Sequence, residues 1–146
     1  MSRFDFYILP KNSQQERFAC LMTNKVWRSG HVLFIHVPTR EAAETFDKLL
    51  WTYSDTSFVP HDMADQDTSS ACPVTIGWQN EVPDKPEALI NLTPNIHKNA
   101  DRFARIIEIV AGDDSVRQMS RNKYREYRDC GYELHNHTIN PDYGHP

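Results

Sequence analysis

The feature that most constrains the fold lies in the first 37 residues. Phe4 to Leu9 is a short apolar and aromatic run, broken only by Asp5 and closed by Pro10, and it reads as a buried strand. Ser13 with Glu16 three residues later matches a capping box, so the spacing predicts a helix from there. Phe18, Leu21, Met22 and Val26 lie on one face of that helix, and Gly30 stands where a C′ residue belongs. Val32 to Val37 is a second strand, closed by Pro38. Strand, helix and strand within about 30 residues make a βαβ unit, which requires parallel strands and a right-handed crossover.

The rest of the chain extends this plan. Thr39 can cap a helix whose buried stripe is Ala42, Ala43, Phe46, Leu49 and Leu50, with Trp51 and Tyr53 at its end and off that stripe. Thr56 to His61 is an apolar stretch in a turn-like setting, and Met63 to Pro73 reads as a surface loop. Val74 to Trp78 and Ala88 to Leu92 alternate like strands. Phe103, Ile106, Ile107 and Val110 repeat the i, i+3, i+4, i+7 pattern of a packed helix ending at Gly112. Tyr132 to His135 is an expected edge strand, and residues 136–146 an expected flexible tail. The order fits two or three layers. We take residues 1–146 as one three-layer, Rossmann-like α/β domain, with a mostly parallel central sheet flanked by helices.

A parallel α/β sheet raises the question of nucleotide binding. Neither strand of the βαβ unit is followed by a glycine-rich turn, and the five glycines are too far apart for a dinucleotide or Walker loop. No cofactor is expected. His135 and His137 form an H-x-H without further ligands and read as exposed tail histidines, so no metal is expected. His36, inside an apolar strand, reads as a satisfied core histidine. The three cysteines are odd in number and widely spaced, which points to a reduced, cytoplasmic protein. No apolar run approaches the length of a membrane span. No spacing asks for a catalytic triad, so no catalytic residue is assigned.

Positive charge is concentrated between Asp114 and Gly131. At about 100° per residue, Arg117, Arg121, Arg125 and Arg128 share roughly a quarter to a third of a helix circumference, with Tyr124 among them. Val116, Met119, Tyr127 and Cys130 fall on another side, as an apolar flank for a core. Residues 115 to 128 hold five basic side chains, counting Lys123, against Glu126 alone, a local +4 on a chain of net −4. The plain alternative is a solvated face of i,i+4 pairs. Against it, the stripe holds almost no acid to pair with. All its charges are arginine, suited to forked recognition of carboxylate or phosphate. Trp51, followed by Ser57-Phe58-Val59-Pro60-His61, makes a second group, read either as core or as a partner surface.

These fragments, in this order and spacing, resemble the chi subunit of bacterial DNA polymerase III holoenzyme. The resemblance rests on the N-terminal FYIL strand, Val26 to Gly30, Leu49-Leu50-Trp51 and Ser57 to His61. It continues through Asp114-Ser115, Arg121, Tyr124-Arg125, Tyr127-Arg128 and Gly131-Tyr132. It implies a non-catalytic, cytoplasmic accessory subunit in DNA replication. Such a protein would join the psi subunit of the clamp-loader complex to the acidic C-terminal tail of single-stranded DNA-binding protein, and would meet nucleic acid indirectly. Carried over, the tail site falls on Val110, Arg117, Arg121, Tyr124, Arg125 and Arg128, and the psi contact on Trp51, Phe58, Pro60 and His61. Exposed ion pairs contribute about 0 to 1 kcal/mol each, so four arginines alone reach roughly millimolar binding. An anchored aromatic adds about 2 to 4 kcal/mol, so the tail is expected to end in an aromatic residue seated between Val110 and Tyr124. The alternatives are direct single-stranded DNA binding by the Arg/Tyr helix, and a small α/β hydrolase or nucleotide enzyme.

Overall fold

The computed structural model describes residues 3–10, 14–52, 61–63, 73–79, 87–93, 95–110 and 114–139. The elements are β1 (Arg3–Ile8), α1 (Gln15–Arg28), β2 (Leu33–His36), α2 (Arg40–Thr52), β3 (His61–Met63) and β4 (Val74–Gly77). They continue with β5 (Ala88–Asn91), a 3-10 turn at Ala100–Arg102, β6 (Arg105–Val110), α3 (Asp114–Asp129) and β7 (Glu133–Thr138). Among the described residues, seven strands form one sheet in the order β3-β4-β2-β5-β6-β1-β7. Every pairing is parallel.

The expected βαβ unit is present, but β6 and β5 lie between its two strands. α1 and α2 pack on one face of the sheet, over Leu33, Ile35, Ile76, Ile90, Ile107 and Ile109. α3 and the segment through Ala100 and Phe103 cover the other, over Phe4, Phe6, Phe34, Leu89 and Ile106. The α1 and α2 crossovers, toward the β3 edge, therefore use one face, and the β5-to-β6 and α3 crossovers, toward β7, use the other, as a constant crossover hand requires. The result is the three-layer α/β arrangement. No helix among the described residues is long and apolar enough to cross a membrane.

The expected helix over residues 103–110 is a strand. Arg105–Val110, RIIEIV, is rich in β-branched residues and fully buried on both faces at its centre. Ile106 packs toward one core and Ile107 with Ile109 toward the other. Such a central strand is continuously apolar, and Phe103, Ile106, Ile107 and Val110 match helical spacing by coincidence. β3 lies where the sequence suggested a turn and the start of a loop. At the other edge, Asn136 to Thr138 belong to β7 rather than to a tail.

Helix ends follow the sequence unevenly. α1 starts at Gln15 with no side-chain cap, and Ser13 lies outside the described residues. Thr39 does cap α2, its hydroxyl accepting the Ala42 N–H at 3.1 Å. α1 and α3 end alike, in Schellman turns with positive-φ glycines: Gly30 at +85° and Gly131 at +83°. After α3, the Gly131 N–H donates to Arg128 O and the Tyr132 N–H to Tyr127 O. The Tyr132 ring then packs 4.5 Å from Phe4. A Cβ at Gly131 would meet nothing within 4 Å, so only the backbone opposes it. Gly131→Ala is expected to lower stability by about 1 kcal/mol, a melting shift of roughly 2 to 5 °C by calorimetry.

Candidate partner-tail site

The site is built where β6 hands the chain to α3. β1 and β6 are neighbours, with Ile8 opposite Val110 at their carboxyl ends. The chain leaves β1 over one face and β6 over the other, so these ends form the topological switch point, where open α/β sheets hold ligands. Gln15 Nε2 donates to Ile109 O at 3.0 Å from one side. Arg117 Nη2 donates to Leu9 O at 3.1 Å from the other. Arg117 thus reaches from α3 to the end of β1 beside Val110, whose carbonyl accepts the Leu9 N–H.

Among the described residues of α3, the buried ones are Ser120, Lys123 and Tyr127. Of the expected apolar flank only Tyr127 is buried; Met119 and Cys130 are exposed, and the Val116 side chain lies outside the described residues. Arg121, Arg125 and Arg128 are exposed, while Arg117 and Tyr124 sit half-buried along the border. The Tyr124 and Phe6 rings meet edge to face, with centroids 5.0 Å apart, and Tyr124 borders the same core as Val110. Sequence-predicted residues Val110 and Arg117 therefore lie at the carboxyl ends of β1 and β6, Tyr124 borders the same core two turns further along α3, and the other three arginines continue the stripe along the helix.

Internal neutralisation of the stripe is slight among the described residues. Arg121 Nη1 reaches the neutral Gln118 Oε1 at 3.4 Å. Arg128 lies 3.8 Å from Asp129, with both side chains largely exposed. Exposed pairs at such distances contribute little. Lys123 is different. It is buried, so it does not add to the cationic surface, which is left with four arginines against Glu126.

Its partner is Glu108, which the sequence reading missed. Lys123 Nζ donates to Glu108 Oε1 at 2.6 Å and to Thr93 O at 2.8 Å. Glu108 Oε2 accepts the Tyr127 hydroxyl at 2.7 Å and Asn91 Nδ2 at 2.9 Å. Burial and the adjacent carboxylate push the Tyr127 hydroxyl far above its usual range. The available signal was an acid inside an apolar β-branched run, since a buried carboxylate needs partners. Asp5 carries the same signal on β1. It is fully buried, and it accepts from Arg105 Nε at 2.8 Å and from Arg3 Nε at 3.2 Å. His137 Nε2 lies 2.8 Å away as a third partner. Burial alone would raise the Asp5 carboxyl, but its partners His137, Arg105 and Arg3 together hold it below the usual range.

His137 is accordingly no exposed tail residue; it is half-buried in β7 and stacks on Tyr7 at 4.7 Å. His135 lies 3.1 Å from Glu133. Among the described residues no group of three or more His, Cys, Asp or Glu could hold a metal ion. His36 is in the core as expected, but its Nδ1 has no hydrogen-bond partner among the described residues. Burial, aided by His97 with its ring 4.7 Å away, lowers its pKa to about 4. The neutral ring therefore supplies stability that is complete above about pH 6.5 and drains away as pH falls toward 4. In urea titrations, wild type is expected to lose about 3 kcal/mol more than His36→Phe between pH 7 and pH 4.

The second expected surface is only partly within view. Trp51 is 52% exposed at the end of α2, and β3 begins at His61. Phe58, Pro60 and the His61 side chain lie outside the described residues.

Residues 1–135 match the family described as DNA polymerase III chi subunit, HolC. Three curated relatives cover nearly the whole chain. The DNA polymerase III subunit chi of Pseudomonas aeruginosa is 32% identical over 141 residues, covering 95% of this chain and 98% of the relative. The subunit chi of Escherichia coli K12 is 30% identical, covering 94% and 99%. That of Haemophilus influenzae Rd is 30% identical, covering 92% and 95%. With a family match along almost its full length and relatives of the same size, this chain belongs to the chi subunit family of DNA polymerase III, accessory subunits of the replicative polymerase complex.

Proposed function

We propose that this chi subunit is an adaptor that holds the acidic, aromatic-ended C-terminal tail of single-stranded DNA-binding protein on α3 and the psi subunit near Trp51. The observation that carries the reading is the exposed arginine stripe of α3 running to the switch-point crevice beside Val110 and Tyr124. The carboxylates of the tail pair with Arg121, Arg125 and Arg128. Its terminal ring enters between Val110 and Tyr124, and its terminal carboxylate lies near Arg117. α2 and α3 lie on opposite faces of the sheet, so partners at Trp51 and at the stripe do not compete for space.

Size-exclusion chromatography of this protein with psi and full-length single-stranded DNA-binding protein tests the reading. A ternary complex is expected. Trp51→Ala is expected to weaken psi association at least tenfold, as for an interface aromatic anchor, and to spare the tail. Arg121→Glu is expected to do the reverse. If each variant damages both associations, the two-surface arrangement is wrong. Tight, salt-dependent binding of an oligonucleotide alone would favour direct DNA binding by the helix instead.

A further inference from the structure

Among the described residues, α3 is fixed on the sheet largely by directional polar contacts. A surface helix is normally set by an apolar stripe, and apolar burial is non-directional. Here the buried side chains of α3 among the described residues are Ser120, Lys123 and Tyr127, with Tyr124 half-buried against the same core as Tyr127. The directional contacts are polar. Lys123 Nζ is tied to Glu108 on β6 and to the Thr93 carbonyl beyond β5, at 2.6 and 2.8 Å. Tyr127, one turn further on, reaches the other oxygen of the same carboxylate at 2.7 Å. Glu108 thus grips two successive turns of α3, while Asn91 Nδ2 holds it from β5 at 2.9 Å. Turning the helix by one residue, about 100°, would break both bonds at once.

We propose that the buried Glu108–Lys123 pair is the positioning device of the tail site: it fixes the rotation of α3 about its axis, and so decides where Arg121, Arg125 and Arg128 point. This rests on the reading of α3 as the tail site. Replacing a buried ion pair by neutral groups of similar volume is often tolerated by the fold, whereas setting register is a well-attested use of such pairs. Glu108 acts through α3 and touches no partner itself.

The test removes both charges together, in Glu108→Gln/Lys123→Met. The probe is a synthetic peptide of acidic residues ending in phenylalanine, titrated by calorimetry at several salt concentrations. The double variant is expected to fold, to bind at least tenfold more weakly at unchanged stoichiometry, and to show a shallower salt dependence, because fewer arginines reach the peptide. Partial unfolding would instead lower the stoichiometry and leave the slope alone. Wild-type affinity and slope in the folded double variant would overturn the proposal. Should that variant not fold, Glu108→Asp keeps both charges and withdraws the carboxylate by one methylene; it is expected to weaken peptide binding several-fold, and unchanged affinity would overturn the proposal. Nuclear Overhauser contacts between Tyr124 and Phe6 read the rotation without any ligand. Their loss in a folded variant supports the device and their persistence overturns it, even if wild type fails to bind the peptide, a result that would sink only the tail reading.

Discussion

Glu108→Ala is expected to lower the free energy of unfolding by about 3 to 5 kcal/mol, the cost of breaking one side of a buried ion pair. The Lys123 side chain is only 8% exposed, so its ammonium would be left without a counter-charge or would have to lose its proton. The Tyr127 hydroxyl and one Asn91 N–H would lose their acceptor at the same time. Unfolding in urea, followed by far-UV circular dichroism, measures the loss. A change below about 1 kcal/mol, the usual effect of a surface substitution, would mean that the pair is not sealed from water.

Arg121→Glu is expected to weaken binding of an acidic, aromatic-ended peptide at least tenfold, about 1.4 kcal/mol or more. The substitution removes one charge-assisted contact and sets a carboxylate amid Arg117, Arg125 and Arg128, where it repels the tail and pairs with its neighbours. The Arg121 side chain is exposed and its one described contact is with Gln118, so the fold should be undisturbed. Calorimetry gives the affinity, and the melting temperature gives the control.

The sequence carried the fold wherever one side of an element faces water. α2 was legible because its apolar positions repeat with helical period and Thr39 announces its start, and Gly30 marked the end of α1. β6 was not legible, because a strand buried on both faces has no period of its own. That error hid Glu108, which on a helix would have looked like one more surface acid. His137 was misread, and the partners of Asp5 were missed, for a related reason. Their pairing joins residues 132 apart in sequence, and only the sheet register brings them together. Of the candidate site, the arginine stripe was visible from spacing alone. The removal of Lys123 from it was not, since nothing local distinguishes a buried lysine from an exposed one in a basic helix. The switch point also needed the strand order, which places β6 beside β1 and lets Arg117 meet Leu9.

The central claim is that an acidic tail seats on α3 and in the crevice at the carboxyl ends of β1 and β6. Chemical-shift mapping of the labelled protein with an acidic, phenylalanine-ended peptide tests it most directly. Perturbations are expected to cluster on Val110, Arg117, Arg121, Tyr124, Arg125 and Arg128, and to leave Trp51 unchanged. Saturating peptide that produced no perturbation there, or perturbations gathered around Trp51 instead, would contradict the account.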